Sequence, residues 1–354
     1  MRFARGPRHT SDTVPGTRRG RRGHGRRCPH TGTPCGSGRF LWRCGHTLVT
    51  GAWHRDVAGR DVALAHNLRR EAWAGDTLAR MSRPAIEERF PRPSVMGVVN
   101  VTPDSFSDAG VHLQPAAAVA AGWRMVDEGA AIVDVGGEST RPGSEGVPLD
   151  EELRRVLPVL EGLHGAPVSI DTTKAEVARR AFELGAELVN DVTALGGDPH
   201  MAETVAGGDA YLCLMHMQGE PRTMQRNPTY DDVASEVAAF LEERLGFAVA
   251  AGIAEDRICV DPGIGFGKTV EQNFELVRRL DVVVALGRPV LVGFSRKSSL
   301  GRILGDPTAT TGPLSASVAA AVVAYEREAT IIRAHDVREH VEALKVAAAV
   351  VAAL

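Results

Sequence analysis

One repeated pattern limits the fold of this chain more than any other feature. From residue 95 onward, eight short apolar runs recur, and each is followed by a polar loop and a stretch with helical periodicity. Strands that alternate with helices in this way form parallel sheets whose C-terminal edges carry the site loops. Every run ends in a polar residue: Asn100, Glu138, Asp171, Asn190, His216, Asp261, Ser295 and Arg333.

Two architectures have alternating units of this kind. A doubly wound sheet usually has fewer units, and one dominant ligand loop lies at its reversal point. The edge strands of an open sheet have little reason to end in functional residues, whereas a barrel rim brings all eight strand ends together. We therefore predict an α/β fold, a single (β/α)8 TIM barrel over residues 94–354.

Residues 1–93 have a different composition from the rest. The first 50 residues contain 11 Arg, no Lys and one acidic residue, Asp12, for a net charge of +10; because the whole chain carries −3, the remainder carries −13. We predict a disordered Arg-rich extension over 1–93, with Met81 as an alternative native start. An acidic domain argues against nucleic-acid binding, and no apolar run is long enough for a membrane helix. We expect a cytoplasmic protein with neither a nucleic-acid nor a membrane partner.

The composition of the extension allows two other interpretations. It is Arg-rich and poor in acids like an organelle transit peptide, but it lacks a clean amphipathic helix. A zinc site is the other possibility, although its candidate ligands lack paired C-x-x-C spacing. Cys213 and Cys259 instead lie inside apolar runs, which is typical of reduced core thiols. The candidate zinc ligands are Cys28, His30, Cys35, Cys44 and His46.

Four of the polar residues at the rim suggest a ligand together. Asp171 or Asn190 alone could merely cap the following helix, and the Gly-rich loop after Asp261 does not match a P-loop. Two carboxylates, an amide and the cation Lys297 on one rim match a planar heterocycle such as a 2-aminopyrimidinone. Lys297 adds weight because the chain has four Lys against 37 Arg, so a lysine suggests a need for a compact ammonium.

A second group of rim residues is basic and hydroxylic: Ser139, Thr140, Arg141, Arg333 and His335. In a domain of net negative charge, this grouping indicates a bound anion, such as phosphate or pyrophosphate. Oxygen atoms of Asn100 and Asp104 could add a position for Mg²⁺, which binds few protein ligands and shares phosphate oxygens.

The chain from Val95 to the C-terminus resembles the dihydropteroate synthases, pterin-binding enzymes of folate biosynthesis. The resemblance rests on eight blocks in order: MGVVNVTPDSFSD, IVDVGGESTRPG, SIDTTK, VNDVTAL, LMHMQGEPRTMQ, DPGIGFGKT, GFSRKSSLG and RAHDV. The resemblance implies a (β/α)8 barrel enzyme that joins 6-hydroxymethyl-7,8-dihydropterin pyrophosphate to 4-aminobenzoate. It implies Mg²⁺ as the cofactor and sulfonamides as competitive inhibitors. It also implies a homodimer.

The resemblance carries over residue by residue. The implied pterin pocket consists of Asp171, Asn190, Met215, Asp261, Phe266, Gly293, Lys297 and Arg333. The implied pyrophosphate site consists of Asn100, Thr140, Arg141, Arg333 and His335, with the metal at Asn100. The implied aminobenzoate site consists of Phe106, Thr140, Pro142, Ser295 and Lys297. Asp171, Lys297, Arg333 and His335 are the implied catalytic residues, and Thr102–Asp108 is expected to be a mobile flap.

The implied mechanism is a dissociative substitution in which pyrophosphate leaves before the aniline nitrogen attacks. The nearest enzymatic alternative is a methyltetrahydrofolate-dependent methyltransferase, which shares a pterin pocket but does not need the TPDSFSD, STRPG and RAHD segments. A pterin-binding paralogue without turnover is the non-enzymatic alternative, and it would be expected to have lost loop residues that this chain retains.

Overall fold

The computed structural model describes residues 83–102, 114–140, 143–144, 146–220 and 222–352, together with the backbone of four short strands between residues 40 and 62. The chain divides into two compact units, Met1–Arg80 and Met81–Leu354. In the first unit, β1 (Phe40–Cys44) pairs antiparallel with β2 (Thr47–Gly51), and β3 (His54–Arg55) pairs with β4 (Asp61–Val62). The candidate zinc ligands lie outside the residues whose side chains are described.

The second unit contains a parallel sheet of eight strands: β5 (Ser94–Asn100), β6 (Ile132–Gly136), β7 (Val168–Asp171), β8 (Leu188–Asp191), β9 (Tyr211–Met215), β10 (Ile258–Asp261), β11 (Leu291–Val292) and β12 (Ile331–Ala334). The strands run in the spatial order β10–β9–β8–β7–β6–β5–β12–β11. A bridge between Val260 and Val290 joins the two ends of this order, and the Val260 amide donates to the Pro289 carbonyl at 3.0 Å. The predicted (β/α)8 barrel is confirmed.

Helices surround the barrel and connect its strands. They are α1 (Ile86–Arg89), α2 (Gln114–Asp127), α3 (Leu149–Gly162), α4 (Ala175–Glu183), α5 (Met201–Ala206), α6 (Val233–Ala250), α7 (Val270–Arg278), α8 (Asp281–Val284), α9 (Ser298–Ile303), α10 (Leu314–Glu326) and α11 (Val337–Ala352). A 3-10 turn, Glu255–Arg257, precedes β10. No helix in the described part of the chain is long and apolar enough to cross a membrane.

The strands are apolar on both faces because each one is covered on both sides. Outward residues such as Val133 and Val135 pack under the helices, while inward residues fill the lower half of the barrel. Because side chains alternate along a strand, the inward positions form successive layers. The floor layers contain Met96, Ile132, Leu188, Tyr211, Cys213, Cys259, Leu291 and Ile331, all fully buried. Cys213 and Cys259 are free thiols there, as predicted.

Helix α1 closes the bottom of the barrel, and this corrects the predicted boundary at residue 93. Ile86 and Phe90 are fully buried against the floor, and the Phe90 ring meets the Tyr211 ring edge-on at 5.7 Å. The Tyr211 hydroxyl donates to the Pro84 carbonyl at 2.8 Å. Residues 83–93 therefore belong to the barrel unit. The segment is too short and polar to show helical periodicity, so the sequence pattern alone did not indicate it.

Candidate active site

The candidate site lies above the floor, where the inward side chains become polar toward the C-terminal ends of the strands. Because every second residue of a strand points inward, the inward residue at this level lies two positions after an inward residue of the layer below. The inward residues at this level are Asp134, Asp171, Asn190, Met215, Asp261 and Arg333. Asp191, the neighbour of Asn190, is also buried but serves the following turn, accepting from the Thr193 and Leu195 amides.

Arg333 is held between two buried carboxylates. Its Nε donates to Oδ2 of Asp134 at 2.8 Å, and its Nη2 donates to Oδ2 of Asp171 at 3.0 Å. The Asn190 side-chain amide also donates to Oδ2 of Asp134, at 3.0 Å. Side chains from β6, β7, β8 and β12 thus form one connected network, which fixes their rotamers before any ligand arrives.

Two carboxylates of this pocket, Asp171 and Asp261, are easier to protonate than ordinary ones because their pKa values are raised. Burial, followed by repulsion from Asp134, raises the pKa of Asp171, and the charge of Arg333 opposes the rise. Burial raises the pKa of Asp261 to about 6, although a hydrogen bond from the Gly263 amide and the charge of Lys297 oppose it. Both groups therefore gain most from a ligand that donates N–H groups to their ionised forms.

Several buried polar atoms of the pocket have no hydrogen-bond partner within the described part of the chain. They are Oδ1 of Asp134, Oγ of Ser169 and Oδ1 of Asn190. Buried polar atoms are nearly always hydrogen-bonded in folded proteins, because an unpaired one loses its hydration without compensation. Three such atoms on neighbouring strands β6, β7 and β8 indicate a place where a polar ligand completes the hydrogen bonding.

An apolar wall stands beside these acceptors. Val192, Met215, Met224 and Phe266 form one buried cluster. The ammonium of Lys297 lies 4.2 Å from the centre of the Phe266 ring. This approach requires Gly265, which has a φ of +82° and where a Cβ would come within 3.1 Å of Cδ of Lys297. The pocket therefore combines a flat apolar surface with buried acceptors and a cation.

The strand β11 side of the mouth contains Ser295 and His335. The Ser295 hydroxyl accepts the backbone N–H of His335 at 3.2 Å and lies 3.1 Å from Nδ1 of its ring. Burial, then the charge of Arg333, lowers the pKa of His335 to about 3, so the ring is neutral at pH 7. His335 was expected in a basic cluster; it instead offers hydrogen bonds without a full charge in the ligand-free protein.

Arg296 holds the turn that carries Ser295 and Lys297. It has a φ of +58°, a left-handed conformation that non-glycine residues rarely adopt. Its guanidinium binds both oxygens of Asp336, at 2.5 and 3.0 Å, and its backbone N–H donates to the Ser317 hydroxyl at 3.0 Å. These contacts connect the loops that follow β11 and β12.

The structure brings together most of the predicted site residues that it describes. Asp171, Asn190, Met215, Asp261, Phe266 and Arg333 share the pocket, and Gly293 lies beside Arg333, where a Cβ would be 3.7 Å from the arginine Cβ. Asn100 and Thr140 are half-buried at the ends of β5 and β6. Phe106, Arg141 and Pro142, together with Asp104 and the expected flap beyond Thr102, lie outside the described residues.

Two of the polar residues predicted at strand ends, Glu138 and His216, contact lysine side chains. Lys174 donates to Oε2 of the fully buried Glu152 at 2.6 Å and also pairs with Glu138, at the root of the loop that follows β6. The Thr172 hydroxyl donates to the other oxygen of Glu152 at 2.7 Å. At the end of β9, His216 contacts the buried Lys268.

Asp134 is the principal functional residue that sequence reasoning missed. It lies within an apolar run, two residues before the strand ends at Gly136, whereas only the polar residues at strand ends were considered. The alternation of strand residues could have identified it. Gly136 approaches Asp171 closely, so Asp134, two residues earlier on the same face, must also point into the barrel.

A closed barrel with paired acids, an arginine and an apolar wall at its C-terminal mouth defines a barrel enzyme that binds a flat nitrogen heterocycle. Comparison with known proteins agrees, since residues 96–335 match the family model described as pterin binding enzyme. The dihydropteroate synthases of Escherichia coli K12 and Neisseria meningitidis serogroup C are both 46% identical to this chain, over 267 and 259 residues. These matches cover 74% and 72% of this chain and 93% and 91% of the relatives.

Solved structures give the same result. Xanthomonas albilineans dihydropteroate synthase with 4-aminobenzoic acid is 47% identical with a TM-score of 0.68, covering 74% of this chain and 94% of that one. The Yersinia pestis enzyme in a sulfonamide drug complex is 43% identical with a TM-score of 0.70, covering 74% and 96%. The chain belongs to the dihydropteroate synthase family, whose members are transferases of folate synthesis.

Proposed function

We propose that this chain condenses 6-hydroxymethyl-7,8-dihydropterin pyrophosphate with 4-aminobenzoate, giving 7,8-dihydropteroate and pyrophosphate. The observation that carries the proposal is the set of buried, unpaired acceptor atoms beside two carboxylates of raised pKa. A related structure, the Xanthomonas albilineans enzyme in complex with 7,8-dihydropteroate, is 42% identical with a TM-score of 0.65 and contains the proposed product.

The pterin occupies the deep pocket. The Asp261 carboxylate accepts from the 2-amino group and a ring N–H, while Lys297 donates to the ring carbonyl. Asp171 and Asn190 bind the remaining edge, and the unpaired Oδ1 of Asn190 accepts a ligand N–H. Met215 and Arg333 cover the two ring faces, and Phe266 and Gly293 line the pocket.

The pyrophosphate lies higher in the mouth, against Asn100, Thr140, Arg141, Arg333 and His335. Two nitrogens of Arg333 already bind carboxylates, so the arginine contributes mainly charge and its remaining N–H groups. The neutral His335 ring can donate a hydrogen bond to a phosphate oxygen.

Mg²⁺ is the metal we propose, with Asn100 as its protein ligand. The donor set fits: the Asn100 side chain, which has an amide oxygen, is half-buried at the end of strand β5. Those residues also contain no group of three or more His, Cys, Asp or Glu arranged to hold a metal. One amide oxygen plus pyrophosphate oxygens and water suits Mg²⁺, which keeps several waters. When bound, the ion neutralises charge on the departing pyrophosphate.

The 4-aminobenzoate binds between the loops that follow β5 and β6 and the β11 side, against Phe106, Thr140, Pro142, Ser295 and Lys297. The related structures with 4-aminobenzoic acid and with a sulfonamide drug support these two compounds as ligands of this family. We infer that sulfonamides compete with 4-aminobenzoate for this site.

The proposed chemistry is a dissociative substitution. The C–O bond to pyrophosphate breaks first, the electron pair leaves with pyrophosphate, and the aniline nitrogen then attacks the pterin methylene carbon and loses a proton. Asp171 stabilises the pterin cation, while Lys297, Arg333 and His335 bind the groups around the reacting carbon. Preorganised electrostatics rather than a strong base carries the catalysis.

We also propose a homodimer formed through α10 and α11. Large apolar side chains there are exposed, including Val323, Val346 and Val350, at 46%, 66% and 64%. Exposed apolar side chains on two helices that contact each other are typical of a protein interface. Sedimentation should give about twice the monomer mass.

The deciding experiment supplies purified protein with both substrates and Mg²⁺ and measures 7,8-dihydropteroate and released pyrophosphate. We expect equal amounts of the two products and competitive inhibition by a sulfonamide. Tight pterin binding without product would indicate a binding protein, and methyl transfer from methyltetrahydrofolate would indicate the methyltransferase; either result refutes the proposed reaction.

A further inference from the structure

The loop between β10 and α7 is built around one buried lysine. Lys268 is 2% exposed, and its Nζ donates to the carbonyls of Gly263 at 2.9 Å and Phe266 at 3.0 Å. The same nitrogen lies 2.9 Å from Nδ1 of His216 and 3.4 Å from its carbonyl oxygen. An ammonium has three N–H donors, and two carbonyls and one ring nitrogen use all of them.

This arrangement fixes the state of the His216 ring. Nδ1 accepts from the ammonium, so a neutral ring carries its proton on Nε2. Burial and the neighbouring Lys268 charge lower the pKa of His216 to about 3. The ring is packed edge-on against Phe240, with 4.9 Å between centroids. His216 therefore belongs to the support of the loop rather than to acid–base chemistry.

The loop held by Lys268 carries two of the proposed pterin contacts. Asp261 lies at its beginning, with Oδ1 accepting the Gly263 N–H at 2.7 Å. Phe266 lies further along, with its ring against the Lys297 ammonium. The packing leaves no room for adjustment, since a Cβ on Gly263 would be 1.9 Å from the His216 carbonyl oxygen. The carbonyls bound by Lys268 are those of Gly263 and Phe266, so it holds the loop at both places.

A lysine rather than an arginine at position 268 indicates that a compact ammonium is required there. The chain has four Lys against 37 Arg, and Lys268 is one of the four. Acceptors that converge on one point suit a compact ammonium, whereas a planar guanidinium spreads its donors over a larger fork. The fourth lysine, Lys345, is exposed on α11 and offers a matched comparison.

We propose that Lys268 is a positioning residue for pterin binding, which ties the end of β9 to the β10–α7 loop and so holds Asp261 and Phe266 at the pocket. This inference rests on the proposed pterin site. Burial lowers the pKa of Lys268 to about 7, so the amine is protonated near pH 6, where Asp261 titrates. The positive charge of Lys268 has a second effect there, because Lys268 is among the cations that oppose the burial-driven rise in the pKa of Asp261. Removing the charge should make Asp261 ionise at a higher pH.

The test compares Lys268→Met with Lys345→Met by calorimetry, with 6-hydroxymethyl-7,8-dihydropterin as the probe from pH 5 to pH 8. We expect Lys268→Met to weaken pterin binding by about tenfold or more at pH 7 and to move the acidic midpoint of binding to higher pH. Lys345→Met should match the wild type. Lys268→Arg should not restore affinity, although it keeps the charge.

A second pair of variants tests the loop if Lys268→Met does not fold. His216→Asn leaves an oxygen that can accept from the ammonium in place of Nδ1, whereas His216→Leu removes the acceptor. We expect His216→Asn to bind pterin more tightly than His216→Leu, with both folded by circular dichroism. Equal binding by these two variants, or a folded Lys268→Met with unchanged affinity and midpoint, would overturn the inference. Failure of the wild type to bind pterin would overturn the proposed function instead.

Discussion

The substitution Asp134→Asn probes the network that sequence reasoning missed. Asp134 is fully buried, and its Oδ2 accepts from Arg333 Nε and from the Asn190 amide. Asparagine has nearly the same shape and retains one acceptor oxygen, but it removes the charge. Two effects follow: Arg333 loses one of its two carboxylate partners, and Asp171 loses the negative neighbour that repels its ionised form.

Both effects have a sign and a rough size. Repulsion from Asp134 is the second cause, after burial, of the raised pKa of Asp171. Removing the negative charge of Asp134, which shares Arg333 with Asp171, should lower the pKa of Asp171 by about one unit. One pKa unit corresponds to about 1.4 kcal/mol of difference in interaction energy between the two protonation states. Replacing the ion-paired hydrogen bond from Arg333 by one to the neutral amide oxygen of asparagine should cost about 1–2 kcal/mol of unfolding free energy. Asp134→Ala, which leaves the Nε–H of Arg333 without an acceptor at this position, should lower the unfolding free energy by about 3–5 kcal/mol.

The direction of the pH dependence follows from the raised pKa values. Asp171 and Asp261 bind the pterin N–H groups when ionised, so affinity should increase as pH rises through their raised pKa values, which for Asp261 is about 6, and be lost below them. The stability of the fold depends on pH in the opposite direction from ligand affinity. An acid with a raised pKa in the folded state contributes stability below its unfolded pKa, and this contribution is lost as pH rises through the folded pKa.

The assay is pterin binding by calorimetry from pH 5 to pH 8, together with denaturant unfolding at pH 7. In Asp134→Asn, the pH at which affinity reaches its plateau should fall by about one unit. Glu176→Gln, which removes a carboxylate from an exposed pair with Arg179, is the control and should leave the profile unchanged. An Asp134→Asn profile that coincides with the wild type would refute the electrostatic coupling between Asp134 and Asp171.

Two further predictions concern the floor and the second loop. Phe90→Ala should lower the unfolding free energy by about 3–5 kcal/mol, because it opens a cavity at a fully buried position. Phe247→Ala, at a 45% exposed position, is the control and should lower it far less. Equal losses of unfolding free energy in chemical denaturation would show that α1 does not close the barrel. Glu138→Gln removes the charge that pairs with Lys174 at the root of the loop after β6 and leaves the buried Lys174–Glu152 pair in place, so steady-state kinetics should show the KM for 4-aminobenzoate rising about fivefold or more while pterin affinity stays near the wild type. Arg179→Met is its surface control, and a loss of pterin affinity equal to the loss for 4-aminobenzoate would contradict a role confined to the loop.

The barrel could be predicted because its determinants are local. Each apolar run and the polar residue that ends it can be read within six or seven residues, and eight repeats leave few architectures that fit. Asp171, Asn190 and Asp261 were found for the same reason. Helix α1 was missed because its contribution lies in two side chains, Ile86 and Phe90, whose partners are on strands far along the chain.

The hydrogen-bonding partners could not be predicted in this way. Arg333 was expected to face an anion, but it binds Asp134, 199 residues away, because β12 pairs with β5 and β5 pairs with β6. Lys268 and Lys174 likewise each bind a residue of another segment, His216 for Lys268 and Glu138 for Lys174. A position within a strand can indicate which way a side chain points, but its partner depends on how the barrel closes.

The proposed reaction separates charge along the barrel axis, and the layering of the site is suited to that separation. Among the side chains assigned to the pocket, the three carboxylates of Asp134, Asp171 and Asp261 outnumber the two cations of Arg333 and Lys297 by one negative charge when all five are ionised. A pterin cation that forms next to this layer is stabilised, whereas the departing pyrophosphate moves outward toward the mouth. Asp134 contributes to this field without touching the reacting atoms, and its removal should therefore lower kcat as well as shift the pH profile. The buried pairs cost stability when the pocket is empty, and a ligand with N–H donors recovers part of that cost.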